Sequence, residues 1–304
     1  MLMSGLDQNI TIPGITGATR VYRKNGKYYS SFGHNAGFFS TCTLLLHDTI
    51  KSVNFLKNTD ISLDPTNSFN IYKNNQKSGN IFYEYFKHNN KTIKPPIDKN
   101  DKEFIDIALC PSKNLDFNKY NPFIEKYFTP SEQINNIIKT LEIKYNIDYK
   151  NTCCVFFRGL DKFIETDIPK YDIICKKVLD VTKNEENIRF LLQTDESEFF
   201  EYARKIFTNN IIFNDEIRHL KHSKSQVDYS CNKNENFKYS LNFLAIVIIM
   251  SRCKYVICNS SNVSLWISLF RGNVNNFHQY LKQIPSFRGM KNPYYDSSNK
   301  EVWY

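Results

Sequence analysis

Apolar residues follow two alternating patterns from residue 151 onward. Short continuous apolar runs predict strands, and apolar positions spaced three or four residues apart predict helices. In chain order the predicted strands are 152–157, 189–194, 210–213, 254–258 and 274–277, and the predicted helices are 171–181, 197–207, 240–252 and 263–270. This alternation is typical of a doubly wound, mostly parallel sheet.

The first half of the chain has a weaker pattern. It predicts a strand at 28–32, a glycine-bearing loop at 33–40, a helix at 41–56, and loops at the Asn- and Lys-rich segments 73–78 and 88–94. A further helix is predicted at 131–143, followed by a linker near 145–151. Because one hydrophobic core stops growing at roughly 250–300 residues, we expect this chain of 304 residues to form two α/β domains, 1–150 and 151–304.

Composition and charge narrow the function classes. Hydrophobic residues make up 41% of the chain and aromatic residues 15%, which is enough apolar material for packed cores. The formal net charge of +9 comes from scattered lysines and arginines, without a run of five or more basic residues. Because a scattered excess is usually solvated surface, we expect no nucleic-acid partner.

The sequence also bears on location. It has no basic start followed by an apolar run, and its most apolar segment, 243–250, is far shorter than the roughly 20 residues that cross a bilayer. The eight cysteines lack the paired Cys-x-x-Cys spacing of a zinc site, so we expect reduced, buried thiols. These features predict a soluble, cytoplasmic protein without a transmembrane segment.

Polar residues follow three of the predicted strands, and in open α/β sheets ligands bind beyond the carboxyl ends of strands. Arg158 emerges as the first strand stops, with Asp161 and Lys162 within one turn. A planar guanidinium suits a phosphate, and a lysine adds a point charge. A strand-end salt bridge between Arg158 and Asp161 is an equally good interpretation of this motif alone.

The other two motifs lie where a strand passes directly into a helix. Thr194 and Asp195 form the second, and Ser260, Ser261 and Asn262 form the third. Backbone N–H groups at a helix start make an anion site that suits a diphosphate, although helix capping explains the same residues. Three such motifs at equivalent strand ends of one domain favour a ligand site.

The motifs 156–162, 193–196 and 258–261 resemble, in order and spacing, the donor-site motifs of the α1,6-fucosyltransferases, the bacterial nodulation fucosyltransferase and the protein O-fucosyltransferases. The resemblance covers roughly residues 150 to 280. It implies a GT-B-like fold, with two Rossmann-like domains facing across a cleft: an acceptor-side domain at 1–150 and a nucleotide-sugar-binding domain at 151–304. The N-terminal loop is similar to a loop of the same superfamily through Gly33, His34, Asn35, Gly37 and Phe38.

The resemblance also implies an inverting reaction without a metal or cofactor. The sequence has no Asp-x-Asp triplet, so Arg158, Lys162 and the helix start at Ser260 would neutralise the leaving diphosphate. Inversion needs a base for the acceptor hydroxyl. Glu165 lies one position from a glutamate of the α1,6-fucosyltransferases and is the first candidate, although a solvent-exposed loop acid explains it equally well; Asp167 and His34 are alternates.

Two positions depart from the family pattern. Phe156 and Ile246 stand where the α1,6-fucosyltransferases have a histidine and an aspartate that read guanine, and neither can make the same hydrogen bonds. Fucosyl transfer from GDP-fucose to a glycan or glycolipid acceptor is the leading hypothesis. Another nucleotide sugar, or a non-catalytic nucleotide-sugar- or glycan-binding protein on the same fold, stays open, as does the oligomeric state.

Two glycosylation sequons, 259–261 and 262–264, fall inside the proposed phosphate site. Their modification in a secreted protein would block that site, which favours a cytoplasmic enzyme of a bacterium, or of a large DNA virus acting in the host cytoplasm.

Overall fold

The computed structural model describes residues 8–74, 79–93, 111–213, 216, 233–287, 290–292, 295–298 and 302–304. The chain folds into two compact units: unit 1 comprises 1–106, 118–133 and 233–240, and unit 2 comprises 107–117, 134–232 and 241–304. These ranges differ from the expected division at residue 150, because most of the helix before it belongs to unit 2. That helix buries Ile134, Ile138 and Leu141.

Unit 1 contains a four-stranded sheet in the order β1 (Gln8–Ile10), β2 (Thr19–Lys24), β3 (Lys27–Phe32) and β4 (Ile61–Asp64). The first three strands are antiparallel, and β4 runs parallel to β3. Asn25 and Gly26 join β2 to β3 with positive φ angles, as a tight hairpin requires. This mixed sheet differs from the parallel sheet of a Rossmann-like domain.

Helix α1 (Phe38–Leu56) links β3 to β4. It begins three residues before the predicted start because Phe38 and Phe39 pack into the core, each 2% exposed. Unit 1 also contains α2 (Phe82–Tyr85), β5 (Phe86–Lys87), most of α3 (Phe117–Tyr127) and β6 (Thr129–Pro130), and β5 and β6 pair antiparallel. Its core is rich in ring contacts, for example those of Phe69 with Phe38, Phe82 and Tyr85.

Unit 2 contains a five-stranded sheet in the order β11-β10-β7-β8-β9, and every pair in it is parallel. The strands are β7 (Thr152–Phe157), β8 (Arg189–Thr194), β9 (Asn210–Ile212), β10 (Tyr255–Asn259) and β11 (Phe277–Tyr280). The strand order reverses between β7 and β10, as in a doubly wound sheet, and ligands bind at such a switch point. The expected α/β class with a doubly wound parallel sheet is confirmed in this unit.

The helices of unit 2 connect these strands. They are most of α4 (Glu132–Lys144), α5 (Tyr171–Thr182), α6 (Ser197–Ile206), the part of α7 (Lys233–Arg252) that follows residue 240, and α8 (Asn262–Arg271). A short antiparallel pair, β12 (Ser286–Phe287) and β13 (Met290–Lys291), follows the sheet. One face of the sheet packs on α5 and α6 through buried residues such as Val155, Phe157 and Leu192.

Further sequence-based boundaries need correction: the helix predicted at 240–252 runs from Lys233 to Arg252. The last strand was predicted at 274–277 and runs from Phe277 to Tyr280, because Gly272 and Asn276 have positive φ angles and extend the turn after α8. The predicted linker at 145–151 contains a 3-10 turn, Tyr149–Asn151, within unit 2. Of the predicted loops, 73–78 is described only at 73–74, while 88–93 has neither helix nor strand and Lys94 lies outside the described residues.

Six of the eight cysteines lie in the described residues, and all six are free and buried. Cys110 and Cys231 lie outside that part of the chain. None of the described helices is both long enough and apolar enough to cross a membrane.

Candidate functional site at the carboxyl edge of the unit 2 sheet

The two strands at the switch point end in residues that bind each other. Arg158 follows β7, and its backbone N–H donates to Oδ1 of Asn259 at 2.7 Å. Nδ2 of Asn259, the last residue of β10, donates to the Arg158 carbonyl at 2.8 Å. These two hydrogen bonds, made by a side chain that is 1% exposed, fix the backbone position of Arg158.

Two carboxylates hold the guanidinium of Arg158. Nη2 contacts Oδ1 of Asp161 at 2.6 Å, and Nη1 is ion-paired with Asp195. Asp195 also accepts from the backbone N–H of Gly159 at 2.8 Å, so it ties the end of β8 to the loop after β7. We call Arg158, Asp161, Asp195 and Asn259 the Arg158 cluster; it unites residues from all three sequence motifs.

The loop after β7 turns sharply. Leu160 has a left-handed backbone with a φ of 43°, which is uncommon for a residue with a branched side chain. A Cβ atom at Gly159 would collide with the carboxylate of Glu196, so a larger residue there would require the Glu196 side chain to move. These two residues make the turn tight enough for Arg158 and Asp161 to reach each other.

Lys162 and Glu165 form an ion pair across the same loop. The Lys162 side chain is 6% exposed; burial lowers its pKa, and the nearby Glu165 carboxylate partly opposes that shift. Asp167, the alternate base, contacts Nζ of Lys282 at 2.5 Å with both side chains well exposed. Both candidate carboxylates therefore have a lysine as partner.

The second motif includes a local turn. Thr194 Oγ1 accepts from the backbone N–H of Glu196 at 3.1 Å, just before α6 begins. Burial raises the pKa of Glu196, and a hydrogen bond with Tyr171 partly opposes this. Thr194 thus shapes the chain beside the Arg158 cluster, while Asp195 enters it.

The third motif caps α8. The Oγ of Ser261 accepts from Ser264 N at 3.1 Å, and Ser264 Oγ accepts from Ser261 N at 2.7 Å, which together form a capping box. Ser260 Oγ accepts from Nε2 of Gln279 at 2.6 Å, so that hydroxyl is also held. Asn262 is the first residue of the helix, which presents the positive end of its dipole at the switch point.

The N-terminal loop belongs to unit 1 and has its own network. Nε2 of His34 contacts Oδ2 of Asp48 at 3.0 Å and Oγ1 of Thr16 at 2.9 Å. Asp48 is fully buried and also accepts from Thr19 and from the backbone of Thr16. We call Asp48, His34, Thr16 and Thr19 the Asp48 cluster. Burial raises the pKa of Asp48, but the hydrogen bonds from His34, Thr16 and Thr19 outweigh it and lower that pKa overall.

The other loop residues have local partners. Gly33 donates its backbone N–H to Ala18 O at 2.9 Å, and the side chain of Asn35 bonds to the backbone of Asn67 and of Asn70. Gly37 immediately precedes α1, and the backbone N–H of Phe38 donates to the Tyr72 hydroxyl at 2.6 Å. The loop is therefore fixed onto unit 1.

Sequence reasoning missed two residues that organise these clusters, Asn259 and Asp48. Asn259 stands inside the third motif, and the signal for it was a polar residue at the end of an otherwise apolar strand. Asp48 is a lone acid within the apolar stretch of α1. Among the described residues, no group of three His, Cys, Asp or Glu side chains could hold a metal ion.

The chain is similar to three crystal structures of the NodZ protein, each at 10% identity. The fucosyltransferase NodZ from Bradyrhizobium matches 83% of this chain and 94% of its own with a TM-score of 0.46. NodZ alpha-1,6-fucosyltransferase soaked with GDP-fucose matches 83% of this chain and 93% of its own with a TM-score of 0.45. The form co-crystallised with GDP matches 83% of this chain and 93% of its own with a TM-score of 0.46. No family model and no curated protein matches the sequence. Because likeness at this level carries no functional information, the chemistry rests on the residues themselves.

Proposed function

We propose that this chain is an inverting, metal-independent glycosyltransferase that binds the diphosphate of a nucleotide sugar at the carboxyl edge of the unit 2 sheet. The main support is the position of Arg158 and of the α8 N-terminus, which follow the two strands beside the switch point. A guanidinium and a helix start next to one another provide N–H donors, and the helix start adds positive potential, as an anion requires.

The carboxylates around Arg158 are compatible with that role. A guanidinium has five N–H donors, so Arg158 can hold Asp161 and Asp195 and still donate to a phosphate oxygen. Its side chain is 18% exposed, whereas Lys162 is 6% exposed and paired with Glu165. We therefore assign the principal phosphate contact to Arg158 and a supporting charge to Lys162.

In the proposed reaction the acceptor hydroxyl oxygen attacks the anomeric carbon, and the bond from that carbon to the diphosphate breaks. The bonding electrons leave with the diphosphate, whose charge Arg158 and the α8 N-terminus stabilise. The hydroxyl proton passes to a base, for which Glu165 stays the first candidate and Asp167 the alternate within unit 2. We propose GDP-fucose as donor and a glycan or glycolipid as acceptor.

Arg158→Ala tests the site directly. We expect kcat/KM for GDP release from GDP-fucose, measured with a panel of oligosaccharide acceptors, to fall about 10³-fold. Since the change also removes the cation that Asp161 and Asp195 share, the urea midpoint should fall as well, and turnover is measured where each variant is fully folded. Arg252→Ala is the matched control, since Arg252 is a half-exposed arginine of unit 2 that pairs with Glu142. Undiminished turnover in Arg158→Ala would contradict the assigned role.

Thermal shifts identify the donor class independently of the acceptor. A nucleotide that binds only the folded chain raises its melting temperature. We expect GDP to stabilise the wild-type chain and Arg158→Ala to lose that shift; stabilisation by UDP alone would exclude GDP-fucose. Binding of GDP-fucose without hydrolysis or transfer would establish a nucleotide-sugar-binding protein instead.

A further inference from the structure

Four side chains lie side by side across the sheet of unit 2. Gln193 of β8 pairs in register with Phe156 of β7, Phe156 with Cys258 of β10, and Cys258 with Gln279 of β11. Side chains in register on parallel strands point to the same face. This row, which we call the glutamine row, lies on the face opposite Val155 and is the last row that runs unbroken across these four strands.

The two glutamines of the row are equally buried, each 3% exposed, but they are held very differently. Gln279 is locked at both ends, because its Nε2 donates to Ser260 Oγ at 2.6 Å and its Oε1 accepts from Ser112 N at 2.6 Å. Gln193 makes one long contact, from Nε2 to the Thr194 carbonyl at 3.4 Å. Among the residues that the structure describes, Oε1 of Gln193 has no hydrogen-bond partner.

An unpaired acceptor in this position requires an explanation. A buried oxygen without a partner destabilises the folded state, so native proteins rarely keep one. The Thr194 carbonyl is an acceptor, so the carboxamide atom of Gln193 that contacts it is the nitrogen. The carboxamide atom without a partner among the described residues is the oxygen. The missing partner is therefore a hydrogen-bond donor.

The surroundings indicate what that donor belongs to. Arg158 follows Phe156 by two residues and Ser260 follows Cys258 by two, so the glutamine row adjoins the proposed diphosphate site. The immediate neighbour of Gln193 in the row is the aromatic Phe156, which can satisfy no hydroxyl. One acceptor beside an apolar ring suits a flat base that offers an N–H edge better than a sugar with several hydroxyls.

We propose that Gln193 is a specificity-determining residue, whose Oε1 accepts a hydrogen bond from an N–H of the donor nucleotide's base. This inference rests on the proposed function, because it takes the diphosphate site as its anchor. The weakly held carboxamide turns toward the base when the nucleotide binds, and the bond supplies the partner that Oε1 lacks.

The test is calorimetric titration of the full chain with GDP, UDP, ADP and CDP. Gln193→Met keeps the length of the side chain and removes its polar end. Gln193→Asn keeps a carboxamide that can bind a water molecule, but the shorter side chain places that carboxamide one methylene farther from the base. Gln279→Met is the matched control from the same row. We expect the wild type to prefer one base at least about tenfold and both Gln193 variants to lose most of that preference.

Gln279→Met should instead weaken all four nucleotides alike, since Gln279 holds Ser260 at the proposed phosphate site. If a Gln193 variant keeps the wild-type preference and only its stability changes, an internal water is the partner of Oε1 and the proposal is overturned while the proposed function stands. Equal wild-type affinity for all four bases also overturns it. A wild type that binds none of them overturns the proposed function as well.

Discussion

The Asp48 cluster of unit 1 and the Arg158 cluster of unit 2 both follow a strand and both combine a carboxylate with a nitrogen base. They differ in exposure: the Asp48 side chain is 0% exposed, while Arg158 is 18% exposed and the Asp195 side chain 13%. Both carboxylate oxygens of Asp48 accept hydrogen bonds from within the cluster.

The difference separates a structural role from a ligand-binding role. The buried carboxylate of Asp48 is bonded within its own cluster and is not accessible to a ligand, so substitution of Asp48 should affect folding first. The Arg158 cluster has N–H donors on a partly exposed guanidinium, and it lies at the switch point of the sheet, where ligands bind. Substitutions in the first cluster should therefore lower stability, and substitutions in the second should lower binding.

Asp48→Asn should cause the largest loss of stability. The amide cannot accept at both positions and leaves buried donors of Thr16, Thr19 or His34 without a partner, which costs about 4 kcal/mol in the free energy of unfolding. Equilibrium urea unfolding measures the loss. Asp64→Asn is the control, since the Asp64 side chain bonds to nearby Thr66 at an exposed turn. A loss below about 1 kcal/mol would remove the contrast between the clusters.

His88 should make unit 1 sensitive to acid. Burial, with a smaller contribution from the charge of Lys126, lowers the pKa of His88 from 6.5 to about 4. Between those values the unfolded chain binds a proton that the folded chain does not, so stability rises with pH and falls as the solution is acidified. The loss from about pH 6.5 to about pH 4 should be about 2–3 kcal/mol.

His88→Phe isolates this effect, because the ring packs among Phe82, Tyr83 and Tyr127. The variant should lose most of the slope of unfolding free energy between pH 4 and 6.5. Asp48 acts at lower pH: its lowered pKa contributes stability above its unfolded value of 3.8, which is lost as the pH falls through the folded pKa. An unchanged slope in His88→Phe would mean that other groups cause the acid sensitivity.

Glu165→Gln should distinguish a proton acceptor from a charge partner. As the partner of the buried Lys162, Glu165 is needed for stability, and its neutralisation should cost about 2 kcal/mol. The double variant Lys162→Met with Glu165→Gln should recover much of that loss, because no buried charge is then left alone. Because Lys162 is itself assigned a supporting charge at the diphosphate, turnover of the double variant is compared with that of Lys162→Met alone. A further loss in the double variant supports Glu165 as the base; full turnover in Glu165→Gln would exclude it.

The sequence predicted β7 and β8 to the residue because they are buried apolar runs with clear polar ends. It misplaced β11 because the turn after α8 includes Asn276 with a positive φ, which no hydrophobic pattern reveals. The short strands of unit 1 were predicted only in part, because strands such as β2 have little apolar pattern: β2 contains three basic residues and a single aliphatic one, Val21.

The residues that organise the clusters were harder to predict, since their partners are distant in the chain. Asn259 and Arg158 are 101 residues apart, and Asp48 and Thr16 are 32 apart. A motif shows that an arginine and a serine follow two strands. Only strand order shows that those strands are neighbours. Only side-chain geometry shows that Oε1 of Gln193 lacks a partner among the described residues while the equally buried Gln279 is bonded at both ends.

Ser261→Ala should have the smallest effect on stability. It tests whether the Ser261 side chain only caps α8 or also binds the ligand. Loss of the capping box should cost about 1 kcal/mol of unfolding free energy, measured by urea titration. Because the Ser261 hydroxyl is engaged by Ser264, we expect the affinity for GDP to change less than about threefold. Ser260→Ala is the control: its hydroxyl anchors Gln279, so it should weaken GDP binding more than Ser261→Ala. A larger loss of GDP affinity in Ser261→Ala than in Ser260→Ala would instead make the Ser261 hydroxyl a phosphate ligand.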